Sequence, residues 1–234
     1  MKNTFQSITL VLGLAFALMG CEKDNYEPPS ALLSGRLVYQ GEPIYVEYDR
    51  VSYELYQNGF GKTGPLGSTF TQEGEFSQLL FDGDYQMVIP TGQGPFVTSQ
   101  NDTGGADTMQ IALRGSETLD IEVTPFWMIR NPQLGAGDGS VTGTFALEQI
   151  ATGSNARDIE SVTLYVSKTA FANSQTNVAS TTVGSGDLTD LSAVSLSAEV
   201  PELIPTQNYV FASIGVKFAG VDDLIFSPTQ KLDL

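Results

Sequence analysis

The sequence predicts an all-β chain: two tandem β-sandwich domains behind an apolar leader and a short polar tether. Two patterns point to the fold class. Short runs that alternate apolar and polar residues recur from Ala31 to the carboxyl end, the period-two pattern of half-buried strands. Gly, Pro, Asn and Asp separate these runs, with 24 Gly and 11 Pro in the chain, and they are the residues that turns require. A third observation divides the strands. The pattern changes register after "TPFWMIRNPQLGAGDG" at 124–139, giving a first domain over 31–125 and a second over 126–234.

The leader occupies residues 1–20. Lys2 supplies positive charge ahead of an unbroken apolar segment at 8–19, which is too short to span a bilayer and reads as the centre of a signal peptide. No later stretch approaches the ~18 apolar residues of a membrane span. The leader ends on "LMGC", residues 18–21, which resembles the lipobox of bacterial lipoproteins, although Met19 is unusual at its position. That resemblance implies cleavage after Gly20, a diacylglycerol on the Cys21 sulfur and an N-acyl chain on its amine. Several acyl chains hold a protein stably at a membrane where one does not. The alternative is cleavage after "AFA" at 15–17, which leaves a free thiol on a secreted protein. The tether 21–30 continues as "EKDNYEPPS" and resembles the acidic export signals of Bacteroidetes surface lipoproteins, which implies an outward-facing position on the outer membrane. The alternative is a plain solvated linker, with Tyr26 exposed on it. Nine residues at ~3.3–3.6 Å each keep the first domain within about 30 Å of the bilayer.

Composition narrows the chemistry. The formal net charge is −16 with scattered acids, so nucleic acid and anionic headgroups are not expected partners. The chain has no histidine and one cysteine, which removes Ser-His-Asp and Cys-His catalysis and histidine-held metals. No phosphate-binding glycine loop or dinucleotide fingerprint occurs. A paired-carboxylate glycoside hydrolase survives on residue types alone, without any signature among the 27 acids, so no catalytic residue is assigned. Oxygen ligands for calcium occur at 101–107, at 135–140 and at Asp222 and Asp223. None has the EF-hand spacing, and the same residues serve turns. No cofactor or metal is therefore expected beyond the lipid on Cys21.

The first domain opens with "LLSGRLVYQGEPIYV" at 32–46, two strands broken at Gly41 and Pro43. Next, 51–57 alternates Val51, Tyr53 and Leu55 against Ser52, Glu54 and Tyr56. The stretch 73–90 holds two strands around Asp82-Gly83, a dipeptide that signals a hairpin, and 109–113 and 118–125 complete the set. Gly41, Pro43, Gly74, Phe76, Gly83 and Tyr85 resemble the pattern of transthyretin-like and carboxypeptidase-regulatory-like sandwiches, except that Asp82 stands where proline is usual.

In the second domain, 159–167 alternates Val162, Leu164 and Val166 against Ser161, Thr163 and Tyr165, and 193–201 supplies another strand. Leu203, Pro205 and Tyr209 have the L-x-P-x-x-x-Y spacing of a tyrosine corner, whose hydroxyl ties back to the backbone upstream. Val210, Ala212, Ile214, Val216 and Phe218 then share one parity. This half resembles fibronectin- or immunoglobulin-like sandwiches. Trp127, the only tryptophan, sits beside Phe126 at the junction. The pair is either a sugar platform or packing between the domains.

The tether, the "LLSGRLVYQGEPI" opening, "GDYQMVIP" and the "VTPFWMIRNP" junction together resemble a Bacteroidetes lipoprotein family, domain of unknown function 3823. The resemblance implies company with glycan-capture systems of the starch-utilisation type, which pair a TonB-dependent transporter with a glycan-binding lipoprotein. The function expected from it is an accessory surface lipoprotein, not an enzyme, that binds glycan or braces the uptake complex, its first domain docking the transporter and its second meeting cargo. The alternatives are an adhesive or structural spacer and, third, the carboxylate-dependent glycosidase.

Overall fold

A computed structural model describes residues 27–57, 64–103 and 105–234; the leader and Cys21 lie outside the described residues. Strands make up 56% of the fold and helix 3%, the latter as two 3-10 turns, Gly153–Asn155 and Ser185–Asp187. The all-β expectation holds.

The first domain comprises β1 (Ala31–Tyr39), β2 (Glu42–Pro43), β3 (Tyr45–Val46), β4 (Ser52–Gln57), β5 (Leu66–Thr69), β6 (Glu75–Leu80), β7 (Gly83–Val88), β8 (Phe96–Val97), β9 (Thr108–Leu113), β10 (Ser116–Glu122) and β11 (Thr124–Pro125). The second comprises β12 (Trp127–Gly137), β13 (Ser140–Gln149), β14 (Ile159–Ser167), β15 (Ala179–Gly184), β16 (Val194–Glu199), β17 (Tyr209–Phe218), β18 (Ile225–Phe226) and β19 (Gln230–Asp233).

In the first domain β1 lies between β10, which runs parallel to it, and antiparallel β6. The facing sheet runs β5-β4-β7-β9. Alternation buries Leu33 and Leu37 of β1, Tyr53 and Leu55 of β4 and Tyr85 and Met87 of β7 between the sheets. The rings of Tyr53, Phe70 and Phe76 pack with centroids 4.9 to 5.9 Å apart, in the tilted and edge-on arrangements that aromatic quadrupoles favour. Two glycines are dictated by geometry. Gln40 and Gly41, at φ 52° and 82°, close the two-residue turn from β1 to β2, which requires positive φ at both positions. At Gly35 a Cβ would stand 1.8 Å from the Leu119 carbonyl oxygen, so only glycine lets β10 approach.

The expected hairpin around Asp82-Gly83 does not form. β6 pairs with β1, whereas β7 pairs with β4 and β9, so the dipeptide carries the chain from one sheet to the other. Asp82 accepts a hydrogen bond from the Gly115 N–H at 2.8 Å. The buried Tyr85 hydroxyl donates to the Phe81 carbonyl at 2.9 Å. That bond fixes the crossover as a tyrosine corner would.

The second domain sets β12-β13-β16 against β15-β14-β17, with β18 and β19 both pairing with β17. Three strands on one side and β15, β14, β17 and β19 on the other match the fibronectin-like expectation. Val210, Ala212, Ile214, Val216 and Phe218 are fully buried on their shared parity. The tyrosine corner expected of Leu203, Pro205 and Tyr209 is corrected. Leu203 is buried, but Tyr209 lies on the opposite parity, edge-on to Phe211 and 4.0 Å beneath the Lys231 ammonium. Its hydroxyl makes no hydrogen bond among the described residues. The corner is braced instead by Gln207 donating to the Lys168 and Tyr209 carbonyls and by Lys168 donating to the Ile204 carbonyl.

One pairing joins the domains. β3 of the first adds antiparallel to β18 of the second, with Val46 opposite Ile225 and Tyr45 opposite Phe226. The face of β14 opposite Val162, Leu164 and Val166 is covered in consequence. Thr163 and Tyr165 are buried, with Tyr165 in a second apolar cluster beside Ala172, Leu224 and Phe226.

These two tyrosines separate cleanly by mutation. Tyr85→Phe should lower stability by about 0.5–1.5 kcal/mol, the net worth of a hydrogen bond, while Tyr209→Phe should stay within about 0.5 kcal/mol of wild type. Urea denaturation midpoints measure both. The reverse order would mean that Tyr209, not Tyr85, holds a corner.

Candidate functional site

Polar groups buried at the junction must find partners, and they find them across it. Glu47, next to β3, is 3% exposed and accepts from the Ser174 N–H at 3.2 Å and from the Ser174 hydroxyl. Gln72 donates to Thr229 Oγ1 at 2.9 Å and to the Ala172 carbonyl at 3.3 Å, and the Ser213 hydroxyl donates to that same carbonyl. Asn173 Oδ1 accepts from the N–H groups of Gln175 and Thr176, and the Thr176 hydroxyl donates to the Phe171 carbonyl. The 168–178 loop is thus pinned at its base and within itself.

That pinning presents an aromatic surface. Phe171 at the tip of the loop and Tyr48 just past β3 are 42% and 43% exposed. Their ring centroids lie 4.5 Å apart with planes tilted by 44°. One ring comes from each domain, and Asp49 and Arg50 are exposed beside Tyr48.

A cavity of about 250 Å³ opens elsewhere on the junction, between the 91–100 segment of the first domain and the 155–157 and 220–222 segments of the second. Phe96 and Phe126 line it with Gln100, Asn155, Arg157 and Asp222. The Arg157 guanidinium lies 5.4 Å from the centroid of the Phe126 ring. A larger groove of about 460 Å³ passes Arg130, whose guanidinium is taken up by Glu42 and Glu148 at 2.5 Å each.

Phe126 and Trp127, which the sequence leaves as either a sugar platform or packing between the domains, take the packing role in the structure. Phe126 is 6% exposed and meets Phe218 edge-on at 5.7 Å. Half-buried Trp127 donates its ring N–H to the Arg157 carbonyl at 2.8 Å. Both serve packing because the joined sheets close over them. Sequence reading missed Tyr48 and Phe171, which stand 123 positions apart and meet only in the fold. The available signal was an aromatic set among turn-forming polar residues in "VEYDR" and "TAFANSQ".

The segments offering calcium ligands are engaged locally. Asn101 Oδ1 accepts from Thr103 and Gly105 N–H groups, and Asp138 and Gly139, at φ 51° and 75°, form the turn between β12 and β13. Asp223 is 5% exposed and accepts from the Gly94 N–H of the other domain at 2.7 Å, while Asp222 is exposed.

Comparison with known proteins agrees with this architecture. A family model described as the DUF3823 N-terminal domain, protein of unknown function, matches residues 31–124, and its companion DUF3823_C, domain of unknown function, matches 127–231. The chain belongs to the DUF3823 family. A DUF3823 protein of Parabacteroides merdae is similar at 30% identity and TM-score 0.76, over 88% of this chain and 100% of that one. One from Bacteroides ovatus is similar at 25% identity and TM-score 0.75, over 87% and 99%. A Bacteroides uniformis protein described as a "putative carbohydrate binding protein" shares the fold at 15% identity and TM-score 0.65, over 88% and 100%. No curated protein matches the DUF3823 chain.

Burial pushes the Asp223 carboxyl above its ordinary value; the Gly94 N–H and Arg50 oppose the rise, and Asp222 and Glu47 add to it. A carboxyl raised on folding holds its proton more tightly in the folded state, so its contribution to stability falls as pH rises through the folded pKa. Asp223→Asn keeps an acceptor for Gly94 and removes the titration. Relative to this variant, wild type should lose urea midpoint as pH rises above the ordinary carboxylate value of about 4. Parallel pH profiles of the two proteins would mean that Asp223 titrates as in the unfolded chain.

Proposed function

We propose that this DUF3823 protein is a non-enzymatic lipoprotein of the outer-membrane surface that binds glycan at its domain junction, as an accessory to a TonB-dependent uptake system. The Tyr48–Phe171 pair carries the reading. Pyranose rings present C–H patches that settle on exposed aromatic faces, while their hydroxyls take polar groups at the edge. The cross-domain bonds at Glu47 and Ala172 hold the two rings in place before any ligand arrives, which lowers the ordering cost of binding.

The carbohydrate-binding description of the Bacteroides uniformis relative is consistent with this reading. The non-enzymatic part rests on the absence of histidine and of any catalytic signature among the 27 acids. Anchoring rests on the "LMGC" motif at Cys21, and the transporter partnership on the family resemblance. Because each domain supplies one ring, cargo meets both domains rather than the second alone. The spacer reading keeps one observation in its favour: the β3–β18 pairing ties the two domains to each other.

A glycan array separates these readings. Wild type should retain a glycan at micromolar concentration, and Tyr48→Ala or Phe171→Ala should each weaken retention roughly tenfold, about 1.4 kcal/mol, with unchanged far-UV circular dichroism. Silence across the array favours the spacer, and cleavage of any polysaccharide would overturn the non-enzymatic reading. Cys21→Ala should release the protein from the membrane fraction and abolish acyl labelling. A variant that still partitions and labels like wild type would overturn the anchor.

A further inference from the structure

We propose that the cavity beside Phe126 is a subsite for one carboxylate-bearing sugar, a hexuronate, held through Arg157. The inference rests on the glycan reading above but on a separate part of the junction. Arg36, Arg114, Arg130 and Lys217 each meet a carboxylate. Arg157 lines a cavity, is half-buried, and has no acidic partner among the described residues. One of its terminal nitrogens donates to the Ala156 carbonyl at 2.8 Å, which leaves most of a guanidinium's five N–H donors unspent. These donors line the cavity and are free to exchange water for a ligand's acceptor atoms. A planar carboxylate answers them in the paired geometry that arginine forms best.

The rest of the cavity suits a single sugar ring. Its volume, about 250 Å³, falls below the ~300–1,000 Å³ of sites for drug-sized ligands. Phe96 and Phe126 supply apolar wall, and Gln100, Asn155 and Asp222 supply partners for hydroxyls. Arg157 is also fixed in advance, its carbonyl held by the Trp127 ring N–H and its guanidinium resting on Phe126. Charge limits the ligand. A net −16 surface with Asp222 on the rim repels a polyanion, whereas a lone carboxylate set against Arg157 meets Asp222 as its one acidic neighbour in the lining and is screened from acids beyond ~8 Å. The fit is therefore to an isolated uronate, at a chain end or between neutral sugars.

Trp127 reports on the site because it is the only tryptophan and is bonded to Arg157. The full-length protein is titrated with sodium galacturonate and with galactose, following tryptophan emission and, in parallel, heat. Galacturonate should saturate, galactose should bind at least tenfold more weakly, and Arg157→Gln should weaken galacturonate at least tenfold, with Arg157→Lys between. Should Arg157→Gln alter the far-UV spectrum, Asn155→Ala, which trims only the rim, should still weaken galacturonate severalfold. Absence of galacturonate binding, equal affinity for galactose, or affinity unaffected by these substitutions overturns the inference. If galacturonate fails while array binding is kept in Arg157→Gln and lost in Tyr48→Ala, the platform stands and only the subsite falls. If Arg157-dependent binding of galacturonate persists while the array is insensitive to Tyr48 and Phe171, the subsite stands and the platform falls.

Discussion

The pairing of β3 with β18 governs the rest of this molecule. Two residues of the first domain, Tyr45 and Val46, complete the edge of the second domain's sheet opposite Phe226 and Ile225. Tandem sandwiches joined only by a linker would be expected to move against each other. Here the shared edge covers a sheet face that would otherwise meet water, stacking Tyr165 on Phe226 at 5.8 Å and burying Ser213 and Thr163. Polar groups trapped by that coverage are answered from the other side of the junction, Glu47 by Ser174, Gln72 by Thr229 and Ala172, and Asp223 by Gly94. The Gln72 amide oxygen is the exception among the described residues, buried without a partner.

The same junction concentrates the surface chemistry. Loops on rigid sandwiches are where binding function gathers, and here the loops that matter are held by contacts between domains. Phe171 is exposed because Ala172 behind it is fully buried and hydrogen-bonded at its carbonyl. Tyr48 is exposed because Glu47 before it is locked to Ser174. In both cases a buried residue fixes the backbone and the adjacent aromatic faces outward. The Arg157 cavity is framed likewise, with Asp223 binding Gly94 next to the rim residue Asp222.

What the sequence made legible follows from the range of the interactions. The core-facing side of a strand was readable from parity, as for Val51, Tyr53 and Leu55 and for the Val210 to Phe218 series, because alternation is a local consequence of facing one core. The division into two domains was readable from the change of register near 125. Asp82-Gly83 misled because a hairpin and a crossover ask the same of the local backbone, and only the partners of β6 and β7 distinguish them. The spacing of Leu203, Pro205 and Tyr209 misled for a similar reason: it fixes a corner but not the direction of the ring, which parity turns toward Lys231. The burial of Thr163 and Tyr165 was not legible, because nothing near them in sequence announces the strand that covers them. Phe126 and Trp127 were correctly located at the junction, yet whether an aromatic there faces out or in depends on how the sheets meet. The Tyr48–Phe171 pair depends wholly on that meeting and left only a weak trace in its polar surroundings.

The central claim is that the junction makes one structural unit of two domains, and native-state hydrogen exchange tests it most directly. Amides at the heart of each domain, such as Met87 on β7 and Ile214 on β17, report the free energy of opening of their own sandwich. If the β3–β18 pairing binds the domains as described, the slowest amides of both should exchange with one common free energy, through a single global unfolding. Two distinct values, with one domain opening while the other stays protected, would contradict the account.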